Sequence, residues 1–267
     1  MSWMEVAWAV ASPAAAAALQ QQLLPNEDTH TGSSARATLD KLRFLKAPLW
    51  IASNHDLRAL AERVAKEQFM RAREPMDCAL LYVALDKTST LAAMFRAVKN
   101  DKLAAFMARD FSSADNRQAA IKNACVLLSQ HKYALSAAFF LLAQSPHDAI
   151  DTLVAKMRDP ILGLLVTRLV AKADSGEVFL QGMRRVEGAL EEAGEVVGAA
   201  LCRWRRRSYA SALALLARAA TSNTFFPQCA SSAQAEGGVS RSGGGGTGGV
   251  TLRGRVGERL RCVARQS

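Results

Sequence analysis

Apolar positions recur with a helical period from Leu39 to about Ala220, broken by start and stop signals every 10 to 20 residues or so. No alternating run is long enough to compete as a strand. Asn54 reads as the cap of a helix whose buried stripe is Leu57, Leu60, Ala61, Val64 and Ala65. That helix has to end before Pro75, because a proline ring pushes the preceding residue out of helical backbone, and Pro75 then opens Met76 to Leu85. Ser112 with Asp115 resembles a capping box ahead of a stripe of Ala120, Ile121, Ala124, Leu127 and Leu128. Ser145-Pro146-His147-Asp148 combines an N-cap, a first-turn proline and an acid, and starts a helix over Ala149 to Met157. Asp159-Pro160 repeats the device.

Between two of these starts, Tyr133 to Ala143 is apolar on every face except at Ser136, so this helix needs neighbours on most sides. The implied unit is a pair of helices of about 12 to 15 residues each, which buries its free face only by stacking on the next pair. The expected fold is therefore all-α, an irregular α-solenoid of stacked helix pairs over residues 39–220, with no strict period. Residues 1–24 form an Ala-rich leader able to be helical, and 25–38, rich in Asn, Thr, Ser and Gly, read as a linker. Residues 227–267 form a Gly/Ser/Arg-rich tail with too little apolar surface to offset its chain entropy, so disorder is expected there.

Charge changes this picture little. The net charge is +10, yet Lys and Arg alternate with Asp and Glu in the middle of the chain, as in Glu62, Arg63, Lys66 and Glu67, the pattern of an ion-paired solvated surface. The one dense basic cluster is Arg203, Arg205, Arg206 and Arg207 around Trp204. It closes the apolar stretch Val196 to Leu201, so it reads as a helix end facing the negative dipole pole with Trp204 packed inward, and no nucleic acid is expected as a partner.

The five cysteines contain no C-x-x-C pair, and Cys78, Cys125 and Cys202 lie in apolar helical runs as small hydrophobes, which fits a reducing, cytoplasmic setting. The first basic residue is Arg36, so the charged opening of a secretory signal is missing, and the apolar runs fall short of a bilayer span. Any membrane association is expected to be peripheral and to run through partners.

Candidate chemistry is sparse. Gly243, Gly245 and Gly248 match G-x-G-x-x-G without the strand and helix that phosphate binding needs. His30, His55, His131 and His147 are isolated from one another, no serine sits in G-x-S-x-G, and no cysteine carries a local nucleophile signature. Glu191 and Glu192 lie on a polar face one to two turns after Arg184 and Arg185, where ion pairing is expected. No catalytic, cofactor-binding or metal-binding residue is assigned, no cofactor is expected, and the chain reads as a non-enzyme.

Five blocks carry a resemblance. Glu74-Pro75-Met76-Asp77-Cys78-Ala79-Leu80-Leu81-Tyr82-Val83-Ala84-Leu85 is followed by Asp110-Phe111-Ser112, then by Ala119-Ala120-Ile121-Lys122-Asn123-Ala124 with Leu127-Leu128-Ser129. Lys132-Tyr133 with Ser136-Ala137-Ala138-Phe139-Phe140-Leu141-Leu142 comes next, and Asp148-Ala149-Ile150 last. In order and spacing they resemble the C-terminal helical region of the DmX-like (rabconnectin) family, the large subunits of RAVE complexes, over roughly Leu42 to Leu169 with a weaker echo to about Arg218. Family members are several times longer and carry amino-terminal β-propellers, so the chain is expected to be a fragment of that length. The resemblance implies a non-catalytic cytoplasmic scaffold at vacuolar and endosomal membranes that promotes assembly of the vacuolar proton-pumping ATPase. Its partners would be peripheral-sector subunits of the pump and the other RAVE subunits. The alternative is a vesicle-coat or trafficking α-solenoid unrelated to the pump. No residue of the matched blocks carries chemistry, and the partner-contacting residues are not assigned.

Overall fold

The chain turns back on itself by one repeated device: a helix is stopped by a residue in left-handed backbone, and the next residue already caps the following helix. The computed structural model describes residues 1–23, 38–171 and 175–221, and among them every regular element is helical. The first are α1 (Trp3–Ala11), α2 (Pro13–Leu23), α3 (Leu39–Phe44), α4 (Ala47–Trp50) and α5 (Asn54–Ala72). The middle holds α6 (Pro75–Ala84), α7 (Thr88–Ala97), α8 (Asp101–Met107), α9 (Ala114–Ser129) and α10 (Tyr133–Leu142). Then come α11 (Pro146–Asp151), a π-helical turn (Thr152–Lys156), α12 (Pro160–Val170), α13 (Glu177–Glu192), α14 (Val196–Arg205) and α15 (Tyr209–Thr221). The expected all-α architecture of stacked helix pairs holds. Residues 25–37 of the expected linker and the tail at 227–267 lie outside the described residues.

At six of these turns the hydrogen bonds are the same. After α6, the Asp86 N–H donates to the Val83 carbonyl at 3.0 Å and the Lys87 N–H to the Tyr82 carbonyl at 2.9 Å, so two carbonyls that a helix end would orphan are satisfied. The pairs Lys99 and Asn100, His131 and Lys132, Gln144 and Ser145, Gly194 and Glu195, and Arg207 and Ser208 repeat it. All but Gly194 place a side chain at positive φ, at a steric cost of about 1 kcal/mol each that the two backbone bonds offset.

The left-handed residues also mark a local spacing that composition hides. Arg73, Asp86 and Lys99 stand 13 residues apart, as do His131 and Gln144, and Gly194 and Arg207. From Gln144 to Arg158 the step is 14, and the extra residue is absorbed by the π-helical turn, where the Met157 N–H reaches back five residues to the Thr152 carbonyl at 3.0 Å. From Lys99 to His131 the step is 32 and from Arg158 to Gly194 it is 36, so no strict period runs through the stack, as the sequence reading has it, and the 13-residue spacing is local. Its marker is backbone conformation, carried by Arg, Asp, Lys, His, Gln and Gly alike, rather than by one residue type.

Start signals are confirmed in kind and corrected in place. Asp159 Oδ1 accepts from the Leu162 N–H at 2.8 Å, as its position before Pro160 predicts. The cap of α5 is Ser53, whose hydroxyl accepts from the Asp56 N–H, and Asn54 is already the first helical residue. Ser112 does not cap α9; its N–H and hydroxyl donate to Asp110 at 2.8 and 2.6 Å, and Ser113 takes the cap position without a side-chain bond. Ser145 likewise caps α11 through geometry alone, and α11 ends at Asp151, short of Met157.

The core follows the apolar stripes. The five stripe residues of α5 are buried, and α10 lies among α6, α9 and α11 with Ser136 to Phe140 and Leu142 buried. The Ser136 hydroxyl, the polar exception on α10, donates to the Ala124 carbonyl of α9 at 2.8 Å, so its burial leaves no unmet donor. Phe139 stacks on Phe106 of α8 with centroids 5.4 Å apart. On α9 the reading is only half met: Ala120 and Ala124 are buried, Ile121, Leu127 and Leu128 are half-buried, and Cys125 is exposed rather than packed. Cys78 and Cys202 are buried, and desolvation pushes both thiols up to about 12, which leaves them inert.

Three arginines clasp segments distant in sequence. Arg168, with no exposure at all, donates to the carbonyls of Pro48 at 2.8 Å, Ile51 at 2.7 Å and Ala52 at 3.2 Å, satisfying the C-terminal end of α4 with a positive charge. Arg205 donates to the Leu49 and Ala52 carbonyls, and Arg58 to those of Leu85 and Leu169. The N-terminal helix is packed as firmly: a Cβ added at Gly198 of α14 would lie 2.5 Å from the Trp3 ring, and the Lys46 ammonium sits 4.7 Å from that ring's centroid.

Candidate functional site

The described surface offers two places where charge and aromatic groups gather, and they are built differently. The first is a groove of about 960 Å³ among the end of α5, the start of α6 and the start of α10. Arg73 stops α5 at a φ of 54°, Glu74 caps α6 by accepting from the Met76 N–H, and Pro75 fixes the first turn. This leaves Met76 and Asp77 pointing outward on the exposed side of a helix whose other residues, Cys78 to Ala84, are buried. Across the groove, His131 stops α9 at a φ of 60° and Lys132 takes the cap position of α10. The His131 ring meets the Tyr133 hydroxyl at 2.7 Å through Nδ1. Arg71, Asp77 and Lys132 line this groove, exposed and without an ion-pair partner among the described residues.

The second place is the arginine cluster after α14, where most of the charge is consumed internally. Arg203 pairs with Glu187 at 2.6 Å and with Glu191 at 2.5 Å, and Arg206 also pairs with Glu187. Glu187 is buried between the two guanidinium groups. Of the expected pairs of Glu191 and Glu192 with Arg184 and Arg185, Glu191 and Arg185 find partners on other elements instead, Arg203 and Asp151, each at 2.5 Å, and Glu192 and Arg184 make no ion pair among the described residues. Trp204 does not pack inward; it is 43% exposed and meets Tyr209 edge-on at 4.6 Å. The helix-end position of the cluster is as expected.

The His131–Tyr133 contact is exposed, and no carboxylate or nucleophile bonds to either group among the described residues. No group of three His, Cys, Asp or Glu among them is arranged to hold a metal ion, and no described helix is long and apolar enough to cross a membrane. The first groove is lined by exposed charges of both signs, Arg71, Asp77 and Lys132.

The blocks that carry the resemblance map onto contiguous helices. Glu74 to Leu85 is α6 with its caps, Ala119 to Ser129 belongs to α9, Lys132 to Leu142 is α10 with its cap, and Asp148 to Ile150 is in α11. Residues 1–186 match the family model described as the RAVE protein 1 C-terminal region. The chain belongs to this family. The match is wider than Leu42 to Leu169 and takes in α1 and α2, in keeping with the packing of Trp3 on α14. Among relatives of this RAVE protein 1 C-terminal region, DmX-like protein 1 of Homo sapiens is 37% identical over 132 residues, 49% of this chain and 4% of that protein. The regulator of V-ATPase in vacuolar membrane protein 1 of Saccharomyces cerevisiae is 34% identical over 181 residues, 66% of this chain and 12% of its own length. Its namesake in Schizosaccharomyces pombe is 33% identical over 108 residues, 39% of this chain and 8% of its own. The chain thus spans a small part of the curated relatives it matches.

Proposed function

We propose that this RAVE-family chain is a non-catalytic docking scaffold that promotes assembly of the vacuolar proton-pumping ATPase, through contacts with peripheral-sector pump subunits and other RAVE subunits. It would act in the cytoplasm and reach vacuolar or endosomal membranes only through those partners. The observation that carries this reading is the division of labour within the matched blocks. Their apolar residues fill the core of α6 and α10, whereas Asp77 and Lys132, from the same two blocks, line one groove with unspent charge. Packing alone needs neither of these residues. Two fungal relatives are named regulators of V-ATPase, which supports carrying that role over.

The test is affinity purification of the tagged full chain from cells, with quantitation of peripheral-sector pump subunits and of vacuolar pH. Co-purification that drops several-fold with Asp77→Lys and Lys132→Glu is the expected result. Recovery of coat or trafficking proteins in place of pump subunits would overturn the pump role.

A further inference from the structure

The groove among α5, α6 and α10 is built from residues in the middle of the described stretch 38–171, and the charges that line it are balanced. Arg71 and Lys132 supply two cations, and Glu74 and Asp77 supply two acids. All four are exposed, and none makes an ion pair among the described residues. Glu74 is committed in part to the Met76 N–H as the cap of α6, which leaves Asp77 as the freer acid.

The two signs are also segregated. Both acids belong to the start of α6, whereas Lys132 stands across the groove at the start of α10, beside His131. A uniformly acidic partner would gain at Arg71 and Lys132 and lose at Glu74 and Asp77. A uniformly basic one would do the reverse, so only a partner carrying both signs gains from both walls. Apolar side chains complete the lining, with Met76 exposed and Leu135 and Met157 half-buried.

The form of the partner follows from what the groove lacks. Every regular element among the described residues is helical, so there is no strand edge on which an extended segment could pair its backbone. A helix satisfies its own backbone hydrogen bonds and brings only side chains to the contact.

We propose that the groove takes one amphipathic helix of a partner protein, whose apolar stripe is flanked by acidic residues on one side and basic residues on the other. The acidic flank meets Lys132, the basic flank meets Asp77, and the apolar stripe covers Met76, Leu135 and Met157. This inference rests on the docking role proposed above and adds the chemistry of the occupant.

The experiment uses the full chain and three synthetic helical peptides with identical leucine stripes. One carries Glu on one flank and Lys on the other, the second Glu on both flanks, and the third Lys on both. Binding is followed by fluorescence anisotropy of the labelled peptide at two salt concentrations. The peptide of both signs should bind about tenfold more tightly than either of the others, and more weakly at high salt. Asp77→Lys should move the preference to the all-Glu peptide and Lys132→Glu to the all-Lys peptide, with melting curves unchanged because both side chains are exposed. Unfolding would weaken all three peptides alike, so it cannot produce such a reversal. Equal binding of the three peptides to the wild type, or an order that neither variant changes, would overturn the occupant. Loss of pump-subunit recovery in these variants without any peptide preference would overturn it as well, while leaving the docking role in place. A preference that switches as stated with no pump subunits recovered would uphold the occupant and remove the pump role.

Discussion

The groove at the starts of α6 and α10 and the arginine cluster after α14 contain similar materials put to opposite use. Read along the chain, the cluster is the conspicuous feature, with four arginines in five positions around a tryptophan. In the fold, two of them neutralise Glu187 and Glu191, and a third holds carbonyls at the end of α4. The groove residues Arg71, Asp77 and Lys132 lie far apart in the chain and look ordinary, yet they face solvent together without an ion-pair partner among the described residues. Local charge density is thus a poor guide to where charge is left unpaired. What matters is whether the fold has already spent the charge.

The sharpest control on this comparison lies further along α10. Phe139 and Phe140 of α10 are buried, so Phe139→Ala should cost about 3 to 5 kcal/mol through lost transfer energy and the cavity left behind. Thermal or urea unfolding measures this, and loss of partner binding in that variant would be a consequence of unfolding. A melting curve unchanged by Phe139→Ala would mean that the ring is an exposed contact and that α10 is not core.

Next in size is the cluster itself. Glu187→Ala would leave two half-buried guanidinium groups facing each other, and should destabilise by about 3 kcal/mol. Chemical denaturation of the variant checks it. A change near zero would place the cluster with the groove, as charge available to partners.

Groove substitutions should behave in the reverse way. Asp77→Lys and Lys132→Glu should each leave stability within about 0.5 kcal/mol while weakening partner recovery several-fold, measured by parallel melting curves and affinity purification. Destabilisation as large as that of Glu187→Ala would erase the contrast between the two regions.

The smallest effect is local and depends on pH. Hydrogen bonds from the Ser112 hydroxyl and N–H hold the Asp110 carboxyl below its ordinary range. A carboxyl lowered in the folded state stabilises the turn above its unfolded pKa, and that contribution fades as pH falls through the folded value. Nuclear magnetic resonance titration should find Asp110 protonating at lower pH than a free carboxylate, and Ser112→Ala should move it back up.

Much of the fold was legible because it rests on local rules. The buried stripe of α5, the break before Pro75, the Asp159 cap and the burial of α10 from Ser136 to Phe140 each follow from spacing within a few residues, and each is found where expected. The errors fall where two neighbours compete for one role: Ser53 against Asn54 for the cap of α5, and Ser113 against Ser112 at α9, where Asp110 captures the Ser112 side chain. Cys125 misled for a related reason, since periodicity assigns a face but not whether anything covers it.

By itself, the sequence determined that this protein is helical, where its long apolar helices lie and which family its core resembles, because helix formation and burial are written in periods of three and four residues. Tertiary structure alone decided the rest. The local 13-residue spacing of helix ends lives in left-handed backbone that five unlike side chains and one glycine adopt. The clasp of Arg168 on Pro48, Ile51 and Ala52 spans more than 110 residues. Which arginines are spent and which remain free to meet a partner depends on acids and carbonyls brought beside them by packing, and no local pattern in the chain encodes that proximity.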